Sequence, residues 1–218
     1  MRRSINVFML ALSWCLLTAV AAHSQLARQW VSRTTGTDKT GSNAAVAVVS
    51  DESGSVYAAG WMANKPSGRD FATAKFDADG SRLWVRHYDN GSGDDMAIGL
   101  AVDTAGNVYV SGRSLGAGSW YDYATVKYDN DGTQLWVSRY NGPGNADDGP
   151  SSIAVDDSSN VYVSGWSNGG VSGLDYATVK YNAAGTLQWI RRFDGPTGGT
   201  DSLTAMVLDG FNALYVTG

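Results

Sequence analysis

The sequence predicts an all-β fold, an incomplete or open β-propeller of about three and a half four-stranded blades, and three observations predict it. Short aromatic and β-branched runs alternate with Gly/Asp/Asn clusters, with Gly abundant (27) and Pro scarce (4), which is strand and tight-turn chemistry. Beyond the first two dozen residues no stretch sustains a helical period. One text is also written three times: "DFATAKFDADGSRLWVRHY" from Asp70, "DYATVKYDNDGTQLWVSRY" from Asp122 and "DYATVKYNAAGTLQWIRRF" from Asp175. Trp30, Trp84, Trp136 and Trp189 recur at spacings of 54, 52 and 53, and Tyr57, Tyr109, Tyr162 and Tyr215 at 52, 53 and 53. Gly60, Gly112, Gly165 and Gly218 keep that register, as do Asp51, Asp103, Asp156 and Asp209. A repeat of about 53 residues is the length of a large propeller blade.

The first element is not part of the fold. Arg2 and Arg3 precede the apolar run "INVFMLALSWCLLTAVAA", which ends in small residues before Ser24, the pattern of a secretory signal peptide over residues 1–24. Cleavage before Gln25 is preferred, with the Ala19-Val20-Ala21 end as the alternative. Export would remove Cys15, the one cysteine, and with it any disulfide or thiol chemistry. It would also take the formal net charge from −5 to −7, since two arginines leave with the leader. An acidic chain without a basic patch argues against nucleic acid and anionic membranes as partners. No second apolar segment is long enough to span a bilayer. The expected location is secreted, periplasmic or cell-surface.

Residues 25–218 are expected to hold the blades. An outer strand over Gln29–Arg33 comes first, then three complete units. In the third copy the strands read "SIAVD" (152–156), "NVYVSG" (160–165), "DYATVKY" (175–181) and "LQWIRRF" (187–193). Four short antiparallel strands per unit, repeated, define a propeller blade, and burial of both faces explains why strand alternation is only partial. The text breaks off after a second strand at Gly218. The expectation is therefore the N-terminal part of a longer propeller, with assembly between chains or an unstable product as alternatives. Self-association through open blade edges follows from unpaired strands.

"IAVDDSSNVYVSG" followed by "DYATVKYDNDGTQLWVSRY" resembles the SBBP repeat, a β-propeller repeat of exported bacterial proteins, and the resemblance covers essentially all of residues 27–218. It implies a propeller fold and carries no established activity. "AKFDADGSRLWVRHY" is also similar to the tryptophan-docking repeat of quinoprotein propellers, which implies that Trp84, Trp136 and Trp189 lock neighbouring blades together. No set of calcium-ligating acids and no vicinal disulfide accompanies them, so no cofactor is expected.

Candidate chemistry reduces mostly to turns. Gly112-Arg113-Ser114-Leu115-Gly116 and Gly165-Trp166-Ser167-Asn168-Gly169 match G-x-S-x-G, but a nucleophile elbow needs a following helix and a base. Once the leader is removed His87 is the sole histidine. Asp77-x-Asp79-Gly80 and Asp129-x-Asp131-Gly132 resemble the opening of a calcium loop, yet no distal Glu follows, and the third copy is Asn182-Ala183-Ala184-Gly185. Asp94-Asp95, Asp147-Asp148 and Asp201 fall between blades and read as solvated loop charge. No catalytic residue, metal ligand or enzyme activity is expected.

Three loops between second and third strands, "WMANKPSGR", "RSLGAGSWY" and "WSNGGVSGL", have equal length and different content. Varied loops on one face of a rigid scaffold make binding surfaces. Trp61, Arg113, Trp120 and Trp166 are the candidate ligand-binding residues, and an unidentified protein or polysaccharide the expected partner. The competing function is a fragment of a quinoprotein-like or lyase-type enzyme whose active site lies in other blades.

Overall fold

The computed structural model describes residues 41–64, 68–91, 93–116, 120–196 and 198–218. The leader (1–24) and the first expected outer strand (29–33) lie outside the described residues. Among the described residues fourteen strands follow one another: β1 Ala44–Ser50, β2 Val56–Asn64, β3 Gly68–Phe76, β4 Arg82–Tyr88, β5 Asp95–Val102, β6 Val108–Leu115, β7 Tyr121–Tyr128, β8 Gln134–Tyr140, β9 Asp148–Val155, β10 Val161–Asn168, β11 Leu174–Tyr181, β12 Leu187–Phe193, β13 Ala205–Leu208 and β14 Leu214–Thr217. They form three four-stranded antiparallel meanders and a final pair, β13–β14. The first strands β1, β5, β9 and β13 lie against one another in sequence order and so line the axis side. The described residues form an open β-propeller of three and a half blades. Among the described residues no helix is long and apolar enough to cross a membrane.

The core lies between blades. Tyr57, Phe71, Trp84 and Tyr88 of blade 1 pack against Leu100, Val108, Val110, Val126 and Tyr128 of blade 2. Tyr109, Tyr123 and Tyr140 of blade 2 repeat this against Val161, Val163, Val179 and Tyr181 of blade 3. Three recurring devices hold each blade and tie it to the next. The first is Tyr to Asp: the hydroxyls of Tyr57, Tyr109 and Tyr162 donate to Asp51 (2.9 Å), Asp103 (2.8 Å) and Asp156 (3.0 Å), which also accept backbone N–H groups of the first turn. Burial works against the ionised form of Asp103 and Asp156, yet the bonds from Asn107 and Tyr109, and from Asn160 and Tyr162, outweigh it and hold both below the usual carboxylate value.

The second device is Trp to turn. Trp84 Nε1 donates to Asn130 O (3.0 Å) and Trp136 Nε1 to Ala183 O (3.1 Å), each reaching the outer turn of the next blade. The third is an arginine latch. Arg192 donates to Tyr140 Oη of blade 2 (2.8 Å), Ser167 Oγ (2.6 Å) and Asp175 Oδ2 (2.7 Å), and Arg139 does the same with Tyr88, Ser114 and Asp122. In blade 1 the position belongs to exposed His87, and Asn64 takes over as donor to Asp70 at 2.7 Å.

The strands run further than the sequence suggests. "SIAVD" extends back to Asp148, and β2, β6 and β10 continue through Asn64, Leu115 and Asn168. Trp61, Arg113 and Trp166 are therefore strand residues, in register with Phe71, Tyr123 and Tyr176, where loop positions were expected. Each extension passes a bulge in the first strand, opposite Gly60, Gly112 and Gly165, where a Cβ would collide with first-strand backbone. Backbone approach this close admits only glycine.

Candidate functional site

In an antiparallel meander the loops between second and third strands emerge on the same face as the blade-to-blade connections, and the Asx-Gly turns emerge on the other. The turn face is satisfied by its own backbone. Asp77 Oδ1 accepts from Asp79 N (3.1 Å) and Ser81 N (2.8 Å), Asp129 does likewise, and Asn182, with no charge, makes the same two bonds in blade 3. Charge is dispensable there, which identifies these segments as Asx turns.

The two serines of the G-x-S-x-G texts are fully buried. Their hydroxyls receive Arg139 and Arg192 within the latches, and Ser114 and Ser167 sit directly across the ladder from Asp122 and Asp175.

At the second acid of each pair the expectation of solvated loop charge is overturned. Asp95 and Asp148 open the first strands of blades 2 and 3 and are 0% exposed. Asp148 accepts from Gly142 N (2.6 Å) and Asn168 N (2.9 Å), tying the incoming connection to the second strand; Asp95 accepts from Asn90 N (2.8 Å). Burial raises both carboxyls above the ordinary value. Their neighbours Asp94 and Asp147 reach back to the preceding blade, accepting from Arg69 N (2.9 Å) and Tyr121 N (3.0 Å). Successive side chains of extended chain point to opposite sides, which gives the two members of each acidic pair different partners.

Of the candidate binding residues, the structure brings two together. Trp120, 64% exposed just before β7, and half-buried Trp166 line one open cleft of about 380 Å³ with Ala146, Asp147, Asn168 and Leu174. Its volume falls within the range of small-ligand sites. The Trp166 indole lies over Gly149, where a Cβ would stand 2.5 Å from the ring. Trp61 belongs to blade 1, with its indole N–H buried and without a hydrogen-bond partner. Arg113 occupies the register of Trp166 in blade 2, and its guanidinium stacks on Tyr121 at 4.8 Å. Asp147 and Asn168, dismissed or overlooked from the sequence, complete the cleft.

The equivalent place between blades 1 and 2 is built from different residues. Position 120 is there Gly68, with φ +104°, and position 146 is Gly93, where a Cβ would meet Leu115 at 2.6 Å. Position 121 is Arg69, whose guanidinium reaches the carboxylate of Asp94, the equivalent of Asp147, at 3.5 Å. Trp120, Ala146, Asn168 and Leu174 thus all depart from the first junction.

Residues 135–171 match the SBBP family, described as a beta-propeller repeat. No curated protein matches. Similar solved structures include a eukaryotic initiation factor (12% identity, TM-score 0.49, covering 78% of this chain and 36% of that one). A gluconolactonase from Xanthomonas campestris (17%, 0.43, 78% and 52%) and a virginiamycin B lyase from Staphylococcus aureus (14%, 0.38, 79% and 62%) are also similar. The chain spans less than two thirds of the length of each.

Proposed function

We propose that this chain, which carries an SBBP-type β-propeller repeat, is an exported, non-catalytic binding scaffold whose ligand docks in the cleft between blades 2 and 3. One observation carries the reading. The repeat keeps most of the residues that build the blade frame, and departs from itself where Trp120, Asn168 and Leu174 line a hollow between blades 2 and 3, their counterparts at the first junction being Gly68, Leu115 and Tyr121. Exposed tryptophan beside fixed polar groups supplies contact area at small entropic cost, the usual composition of a binding hot spot. Non-catalysis is supported by the use of both candidate serines as structural groups: Ser114 and Ser167 hold arginines, and the one described histidine, His87, is exposed on the outer strand of blade 1. Export is supported by the leader pattern.

The full chain, expressed with its leader in a bacterial host, should appear outside the cytoplasm with Gln25 as its N-terminus. Calorimetric titration against a panel of peptides and oligosaccharides should find a ligand whose binding Trp120→Ala weakens at unchanged thermal stability. Binding that is indifferent to Trp120 and Trp166, or absent across the panel, overturns the cleft as the functional site.

A further inference from the structure

The cleft has a chemical preference that can be read from its own repeat. Asp94 and Asp147 are equivalent, and each is positioned by one backbone N–H, from Arg69 and Tyr121 respectively, on Oδ1. In the first junction the other oxygen, Asp94 Oδ2, is met by the guanidinium of Arg69. In the second junction the residue that would supply that guanidinium is Tyr121, whose ring is taken up by Arg113. No ion pair joins Arg113 to Asp147 among the described residues, so Asp147 presents a fixed carboxylate to the cleft without the cation that its twin possesses.

The remaining walls suit the same missing group. Two indoles, Trp120 and Trp166, line the hollow beside the carboxylate. Indole faces attract planar cations, and guanidinium, weakly hydrated and flat, both stacks on aromatic rings and bonds a carboxylate. The acidic balance of the chain, 21 Asp and Glu against 16 Lys and Arg, favours approach of a positive partner. Resting on the proposal that the cleft is the binding site, we infer that it receives the guanidinium of an arginine side chain presented by a partner polypeptide, set against Asp147 between Trp120 and Trp166. The partner thereby supplies in trans what Arg69 supplies within the chain.

The test uses the full chain and an acetylated Gly-Arg-Gly amide, followed by calorimetry and by the indole N–H resonances of Trp120 and Trp166. Saturable binding of roughly millimolar strength is expected from a single side chain. Asp147→Asn should weaken it about tenfold, as for loss of a charge-assisted bond. Tyr121→Arg should abolish it, because the introduced guanidinium reproduces the Arg69–Asp94 pair and occupies the site from within; thermal unfolding should show both variants folded. The same peptide with citrulline, or with lysine, should bind at least about fivefold more weakly. Equal binding of citrulline, or binding that survives Tyr121→Arg in a folded protein, overturns the inference. A neutral oligosaccharide that binds in a Trp120-dependent way, with no response to the arginine peptide, overturns it too while leaving the cleft as the binding site. No binding of any probe removes both.

Discussion

The docking of tryptophan onto the next blade's turn can be weighed by adding one methyl group. Gly185 has φ +79°, and a Cβ there would stand 2.6, 2.8 and 3.1 Å from ring atoms of Trp136. Gly91 has nearly the same backbone, φ +82°, with nothing within 4 Å of the added carbon. Alanine in the left-handed region costs roughly 1–2 kcal/mol, so Gly91→Ala should lose about that much. Gly185→Ala adds overpacking, about 1–3 kcal/mol, because the ring is wedged between Tyr109 and Tyr181 and tied by Nε1 to Ala183 O. The assay is urea unfolding of both variants, alone and in a Trp136→Ala background. Without the indole, Gly185→Ala should fall back to the loss seen at Gly91, giving a coupling of about 1–3 kcal/mol. Equal losses at the two glycines, or a Gly185 loss that persists in the Trp136→Ala background, would refute the docking of this ring as a source of blade cohesion.

Two further outcomes follow from ionisable groups. Arg192→Met should lose about 3–5 kcal/mol, because it leaves Asp175, with 4% side-chain exposure, buried without its cation and with only the Ser172 hydroxyl donating to Oδ2. Arg69→Met should lose no more than about 1 kcal/mol, since that pair is 40% and 33% exposed; similar losses measured by urea unfolding would contradict the distinction. For Asp148 the sign follows from burial, which raises its folded pKa above the unfolded value of about 3.9. The folded state holds that proton more tightly, so the stabilisation is fully present below the unfolded pKa and is lost as pH rises through the folded one. Asp148→Asn, the residue already present as Asn43 in blade 1 where Oδ1 accepts from Ala63 N at 2.9 Å, should gain on the wild type as pH rises from 4 to 7. A stability difference that stays constant across that window would show that Asp148 has no such shift.

What was legible in the sequence was whatever the repeat enforces. Blade number, strand order, the Asx turns and the tryptophan line recur with the period because each serves an identical interface. Strand ends were not legible. The stretch Asp148-Gly149-Pro150-Ser151 looks like a connection, but Pro150 is tolerated on an edge strand at a bulge and Gly149 makes room for Trp166. Asp95 and Asp148 misled for a related reason. Charge in a Gly-rich linker reads as solvated, and only the strand pairing shows that Asp148 turns inward to two backbone N–H groups. The cleft was half legible: varied text marked Trp120 and Trp166, whereas Asp147 appears only when Arg69 and Tyr121 are aligned by register and their carboxylate partners compared.

That comparison also explains how the two junctions can differ without disturbing the blades. The Arg69–Asp94 contact is exposed and therefore contributes little to folding, so the arginine can be replaced without loss of the frame. What holds the carboxylate in place is the backbone bond from the following strand, and that bond is present in both junctions, at 2.9 Å to Asp94 and 3.0 Å to Asp147. Position 120 is different. A tryptophan 64% exposed gains little burial, and the other two copies fill its place with glycine at positive φ, a conformation suited to a tight loop. Folding physics accounts for Gly68 and Gly173 but supplies no comparable reason for Trp120. Its indole is best explained by contacts that the chain does not make with itself.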